Sequence, residues 1–314
     1  MKIYVGVTDK DWFQFLGRLK LRREVAGEAL EEANFWQPGG KQLFKALQPG
    51  DLFLFKLHSP DNFIVGGGFF GHASLLPAAL AWETFGQMNG TVSFEDMQMR
   101  IVKYRAAAAR KPPFTIGCIL LQNPFFLEPA RWIPAPADFH LNIVQGKGYD
   151  DSSSEMRRVL SALGSRASPG VRPTTLADAD GPMFGAQTLA RQRLGQGTFR
   201  VLVTDTYERR CAITRERTLP TLEAAHILPV GEGGRHRVDN GLLLRSDVHR
   251  LFDAGYVTIT PDHRFRVSKK IREEFDNGKE YYAMDGRPLW LPSDTARQPN
   301  RDFLSWHSET RFMG

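Results

Sequence analysis

The stretch Arg209–Gly255, RRCAITRERTLPTLEAAHILPVGEGGRHRVDNGLLLRSDVHRLFDAG, carries the densest structural signals in the chain. Thr221–Ile227 predicts a strand, and Pro229–Asp239 predicts a glycine-rich loop. Gly241–Arg245 predicts a short apolar strand, and Ser246–Asp253 a helix, with Ser246 suited to the N-cap and Gly255 to the stop. Strand, loop, strand and helix in that order make a ββα unit. It gathers three polar side chains: His226 at the end of the first strand, Asn240 at the close of the loop, and His249 in the first turn of the helix.

Those residue types suit hydrolysis of a phosphodiester. The reaction needs an activated water, neutralised charge on the phosphate and a stabilised leaving 3′ oxygen. A neutral histidine takes a proton from water at physiological pH, which assigns His226 as general base. His249 is assigned as ligand to a divalent cation holding the phosphate and the leaving oxygen. Asn240 ties the loop to itself through side-chain-to-backbone hydrogen bonds that aim His226; as the first residue of an Asn-Gly pair it also fits a plain turn. Asp253 shares the helical face of His249 four residues on, and serves either the metal or the helix end. Cys211 reads as a buried strand residue.

Charge agrees with a polyanionic partner. The net charge is +6, and Gly181–Arg272 holds 16 Lys/Arg against 9 Asp/Glu, so the excess is concentrated there and the remainder is near neutral. Such a segment gains affinity for a phosphate backbone by counterion release, although a solvated basic face has the same composition. Arg209, Arg210, Arg235, Arg237, Arg245 and Arg250 are the candidate phosphate contacts. No apolar run approaches the roughly 20 residues of a membrane span. Asp9 and Asp11 fall where a signal peptide would be apolar, and two cysteines alone (Cys118 and Cys211) suit a reducing compartment, so a cytoplasmic protein is expected.

Composition divides the chain into residues 1–150, a linker at 151–182 and residues 183–314. In the first part, strands are expected at Lys2–Val7, Asp51–Leu57, Phe63–Phe70 and Thr115–Gln122, and helices at Leu76–Phe85 and Phe94–Lys103, the latter capped by Ser93. Trp132–Pro136 reads as a loop. This mixed order predicts an α+β domain with a curved or barrel-like sheet. The linker is rich in Ser, Pro, Ala and Gly, with a short helix at Glu155–Leu163. A basic helix is expected at Ala186–Leu194, and the second domain begins in earnest at Phe199–Tyr207.

The motifs Glu223-Ala-Ala-His226-Ile-Leu-Pro229, Asp239-Asn240-Gly-Leu-Leu-Leu and Asp247-Val-His249-Arg-Leu-Phe-Asp253 resemble the HNH endonuclease family, in its bacterial restriction-endonuclease branch. The spacings of 14 residues from His226 to Asn240 and 9 from Asn240 to His249 match that family's order, and Arg193–Val203 and Trp306–Gly314 resemble the same branch. The resemblance implies a ββα-metal nuclease that uses Mg²⁺ or Mn²⁺. Many members carry Asp or Glu immediately before the general base as a second ligand, but here that residue is Ala225. Glu223 is the nearest substitute, about 6.6 Å further along the strand, and reads equally as a solvated carboxylate. The cysteine pairs that hold structural zinc in some members are missing.

Asn34–Pro38, Leu47–Phe55 and Phe63–Gly71 resemble, more faintly, the PUA-like group with its EVE-type domains, many of which bind modified bases in an aromatic pocket. That implies a flipped base stacked between rings. Trp36, Phe35 and Trp12 are the candidate pocket residues; each alone reads more readily as core, and Trp36 stands out because its segment is polar and turn-rich. Together the two resemblances imply a modification-dependent restriction enzyme that cuts double-stranded DNA, as a homodimer or through two binding events since one HNH centre cuts one strand. Three other readings fit the same residues: a nuclease reading unmodified sequence, a non-catalytic binder of modified bases or nucleotides with a degraded metal site, and a nucleotide-switched nonspecific nuclease.

Overall fold

Leu52–Leu57 reads LFLFKL, and all six residues are buried. A strand that is apolar on both faces must be covered on both faces. The computed structural model describes residues 1–106, 110–165 and 194–314, and it forms two units divided between Gln192 and Arg193.

In the first unit, β1 (Lys2–Thr8) leads into α1 (Lys10–Val25), β2 (Glu32–Gln37), β3 (Leu52–Leu57) and the long β4 (Phe63–Pro77). Helices α2 (Ala78–Phe85) and α3 (Phe94–Lys103) precede β5 (Thr115–Phe126), β6 (Ile133–Pro134), β7 (Gly146–Asp150) and α4 (Ser154–Ser165). The sheet runs β2-β5-β4-β3-β1-β7, with β6 against β4; β1 and β3 pair in parallel and the other pairs are antiparallel. Alternation along β3 sends Phe53 and Phe55 into one cluster, with Trp12, Leu16 and Leu19 of α1, and Leu52 and Leu54 into another, with Met156, Val159 and Leu163 of α4. Ser93 caps α3 as expected, accepting from the Asp96 N–H.

Three expectations change here. Among the described residues the sheet is open: β2 pairs only with β5, and β7 only with β1, so the barrel-like alternative does not hold. Apolar layers already cover both faces, which removes the drive to close a barrel. The polar segment around Trp36 is a strand, paired Trp36↔Cys118, because cross-strand bonding compensates for its polar composition. The short linker helix, α4, packs into the first unit's core. The rest of the linker, and all of Ala186–Leu194 except its last residue, lie outside the described residues.

The second unit opens with α5 (Gln196–Thr206), followed by β8 (Leu222–His226), β9 (Gly241–Arg245), α6 (Ser246–Asp253), β10 (Val257–Ile259) and β11 (Phe265–Val267). Helices α7 (Lys270–Phe275), α8 (Lys279–Tyr282) and α9 (Arg301–Thr310) complete it. Its core joins Phe199 and Val203 of α5, Leu242, Leu243 and Leu244 of β9, Val248 and Phe252 of α6, and Leu304 of α9. The buried His307 of α9 stacks on Phe252 with ring centroids 3.7 Å apart. Its Nε2 donates to the Phe252 carbonyl at 3.1 Å, which leaves Nδ1 to accept from the Thr258 hydroxyl at 2.8 Å. Burial lowers its pKa to about 4. Among the described residues no helix is long and apolar enough to cross a membrane.

Candidate active site

β8 and β9 pair antiparallel, with His226 opposite Gly241 and Glu223 opposite Leu244, and α6 follows β9 without a loop. The cap residue of α6 is Arg245 and makes no side-chain cap bond; Ser246 is the first helical residue, so the expected Ser246 cap is corrected. Asp247 is instead gripped by Arg245 at 2.6 and 2.7 Å and accepts from Tyr281 at 3.0 Å. The Arg245 guanidinium holds the Asp247 carboxyl below its ordinary range. Gly255, with φ of +79°, ends the helical segment in the left-handed conformation that glycine adopts without strain.

Asn240 is fully buried and closes the loop from within. Its Oδ1 accepts from the Leu228 N–H at 2.8 Å, and its Nδ2 donates to the carbonyls of Leu228 at 2.9 Å and Arg235 at 3.0 Å. One carboxamide thereby binds both arms of the loop, immediately beyond His226. Gly234 is buried against the Leu228 carbonyl so closely that a Cβ would collide with it.

His226 is partly buried and stacks on Phe199, centroids 4.1 Å apart and planes 12° from parallel. Its Nε2 lies 3.0 Å from Nδ1 of His236. Burial, reinforced by the nearby His236 and His249, lowers its pKa from 6.5 to about 4, so the ring is neutral at pH 7. His236, in the loop, carried no signal of its own in the sequence, and Phe199 read only as a domain start. Both become part of the site through the fold.

On α6, His249 is flanked by two carboxylates. Its Nδ1 is 2.6 Å from Glu223 Oε2 and its Nε2 is 3.3 Å from Asp253 Oδ2. Burial raises the Asp253 pKa, His249 opposes that rise and Glu223 adds to it. Glu223, His249 and Asp253 are therefore brought together as the motif suggested. Their oxygens address opposite nitrogens of one ring, however, and do not converge on a common centre. Among the described residues no group of three His, Cys, Asp or Glu side chains is arranged to hold a metal ion. As arranged, the donors do not fit a divalent ion. Ala225 is fully buried in the core, so a side chain at this position faces packing and not the site.

The candidate phosphate contacts divide. Arg209 pairs with Asp205 at 3.3 Å, Arg237 with Asp239 at 2.6 Å and Arg245 with Asp247 at 2.6 Å. Arg210 has its Nε buried without a hydrogen-bond partner among the described residues. Arg235 and Arg250 are exposed, and neither forms an ion pair within the described residues.

In the first unit, Trp12 and Phe35 are buried in the core, edge to face at 5.3 Å, and Trp12 also packs on Phe55. They act as core residues there and offer no open ring face. Trp36 is half-buried, its Nε1 donating to the Asn89 carbonyl at 2.9 Å. Beside it Asn34 donates to Asn89 Oδ1 at 2.8 Å, and Asn34 Oδ1 is buried without a partner among the described residues.

Three comparisons bear on these units. No curated protein matches the chain. Among solved structures, the ASCH protein of Zymomonas mobilis is similar with a TM-score of 0.33 and 10% identity, over 51% of this chain and 94% of its own. The modification-dependent TagI restriction endonuclease aligns with a TM-score of 0.29 and 14% identity, over 91% of this chain and 77% of its own. Residues 211–260, which hold His226, Asn240 and His249, match the family model of the HNH endonucleases, and the second unit carries an HNH-type nuclease domain.

Proposed function

We propose that the protein is a DNA endonuclease of the modification-dependent restriction type, cutting with the second unit and reading a modified base with the first. One observation carries the nuclease part. A neutral His226, a loop fixed by Asn240 and a carboxylate-flanked His249 lie on one ββα unit, inside the segment that matches the HNH model. In this reading a nitrogen of His226 takes a proton from water as the water oxygen attacks phosphorus. The bond from phosphorus to the 3′ oxygen breaks, and that oxygen takes a proton from solvent. Arg235 and Arg250 meet the phosphates. Base reading falls to the surface around Trp36, the one candidate aromatic with part of its ring outside the core. The protein works as a homodimer or through two binding events when it breaks both strands.

The test is cleavage of unmodified, 5-methylcytosine and 5-hydroxymethylcytosine DNA with Mg²⁺, with Mn²⁺ and with EDTA, beside a His226→Ala variant. Cutting confined to modified DNA and lost in His226→Ala is the expected result. Equal cutting of all three substrates would overturn modification dependence, and activity surviving His226→Ala would overturn the base. Undiminished cutting in EDTA would show that no divalent ion takes part, in keeping with donors that do not converge around His249. Binding of modified DNA without cutting under any condition would favour the non-catalytic alternative, which the diverging carboxylates around His249 also favour.

A further inference from the structure

His226 Nε2 and His236 Nδ1 are 3.0 Å apart, so one proton lies between two ring nitrogens. If His226 donates, its Nδ1 keeps a free lone pair and both rings are protonated on Nε2. If His236 donates, both rings are protonated on Nδ1, and His226 has no nitrogen left to accept a proton from water. The Nε2–H form is the commoner tautomer of a neutral histidine, so the first arrangement gives both rings their preferred form and the second denies it to both. Among the described residues no hydrogen bond engages His226 Nδ1. Phe199 covers one face of the His226 ring and limits its turning. The backbone just before His236 is fixed where Asn240 binds the Arg235 carbonyl.

We propose that His236 is a positioning residue that selects the base-competent tautomer of His226, by accepting its Nε2 proton and leaving Nδ1 open to the attacking water. The inference rests on the nuclease reading for its catalytic consequence, but the tautomer is a property of the protein alone. When His226 Nδ1 takes the water proton, the ring becomes an imidazolium whose Nε2–H still points at the accepting Nδ1 of His236. The hydrogen bond is then charge-assisted and strengthens as the charge develops.

Two readouts on the full chain test this. Long-range proton–nitrogen NMR correlations of nitrogen-15 histidine report which ring nitrogen carries the proton, with His226→Ala identifying the signals. The wild type is expected to show His226 protonated on Nε2, and His236→Ala to show a mixture of both forms. In cleavage, His236→Ala is expected to lower kcat roughly 10- to 100-fold with KM little changed, less than the ~10²- to 10⁴-fold that a positioned base contributes because the base itself remains. His236→Asn, which places a carbonyl oxygen where Nδ1 was, is expected to restore most of that loss, whereas a merely structural histidine would not be replaced by one acceptor atom. A wild-type His226 protonated on Nδ1 would overturn the proposal, as would a His236→Ala enzyme with unchanged kcat or an Asn variant no better than Ala. A wild type that cuts no DNA refutes the nuclease reading instead, and the NMR result still decides the role of His236.

Discussion

Replacing Asn240 with alanine removes three hydrogen bonds at one stroke, and its cost follows from the geometry. The Leu228 N–H loses its acceptor at 2.8 Å, and the carbonyls of Leu228 and Arg235 lose donors at 2.9 and 3.0 Å, around a side chain with no solvent exposure. A buried donor left without a partner costs about 1–3 kcal/mol, and each lost neutral hydrogen bond about 0.5–1.5 kcal/mol. Arg235 is exposed, so water satisfies its carbonyl at little cost, and the expected destabilisation of the second unit is about 3 kcal/mol. Asn240→Asp separates this account from simple loss of volume. The carboxylate still accepts from Leu228 but faces two carbonyl oxygens, so it destabilises at least as much as alanine at neutral pH and partly recovers in acid, where a protonated oxygen donates again. Hydrogen-exchange mass spectrometry on peptides from residues 222–245, combined with urea titration, measures both effects. A cost below about 0.5 kcal/mol with undiminished protection of the Leu228 amide would refute the idea that Asn240 holds the loop.

Other perturbations have equally definite outcomes. Because the folded His307 stays neutral down to about 4 while its unfolded form titrates near 6.5, its contribution is complete above pH 6.5 and is lost as the pH falls toward 4; at roughly 1.4 kcal/mol per pH unit this reaches about 3 kcal/mol. Urea midpoints at pH 7.5 and 4.5 should converge between wild type and His307→Gln in the acid direction, and parallel curves would contradict it. His226 adds to the same window to a smaller extent, being less deeply buried. Ala225→Asp puts a carboxylate into a fully buried core position, so it should destabilise the second unit by several kcal/mol in a thermal melt, without conferring metal binding by calorimetry. Gly234→Ala collides with the Leu228 carbonyl and should cost about 1–3 kcal/mol and lower cleavage, a result checked by melting and assay together. Arg235→Ala and Arg250→Ala should each reduce the slope of log affinity against log salt by about 1 in DNA-binding titrations, whereas the ion-paired Arg237→Ala should reduce it less.

The ββα unit was legible because each of its elements announces itself locally: the apolar run Leu242–Leu244, the glycines of the loop, and Val248 and Phe252 four apart on the helix. Elsewhere tertiary contacts decided. The helix Lys10–Val25 escaped notice because the exposed apolar residues Leu21 and Val25 blur the buried stripe of Trp12, Phe13, Phe15, Leu16 and Leu19. Glu32–Gln37 reads as a turn because its Asn34 is polar, and it is a strand because Asn89 and β5 receive that polarity. The roles of Glu223, His249 and Asp253 as neighbours follow from strand end and helix pitch, but which ring nitrogen each carboxylate addresses is a matter of three-dimensional packing. His236 is illegible for the same reason: nothing in GRHRV distinguishes it until Asn240 pins the residue before it.

That pin has a consequence for how such a domain diversifies. Asn240 anchors the loop near its base, at Leu228 and at Arg235, while Val230–Gly233 at its tip are exposed. Geometry at the reacting centre is thus decoupled from the length and character of the tip. Insertions or exchanges there could retune what the surface meets without displacing His226, much as a hinge-pin lets a door be repainted or recut without rehanging it. A library varied at residues 230–232 and screened for substrate preference would draw on that freedom, while residues 228, 234, 235 and 240 stay fixed as its frame.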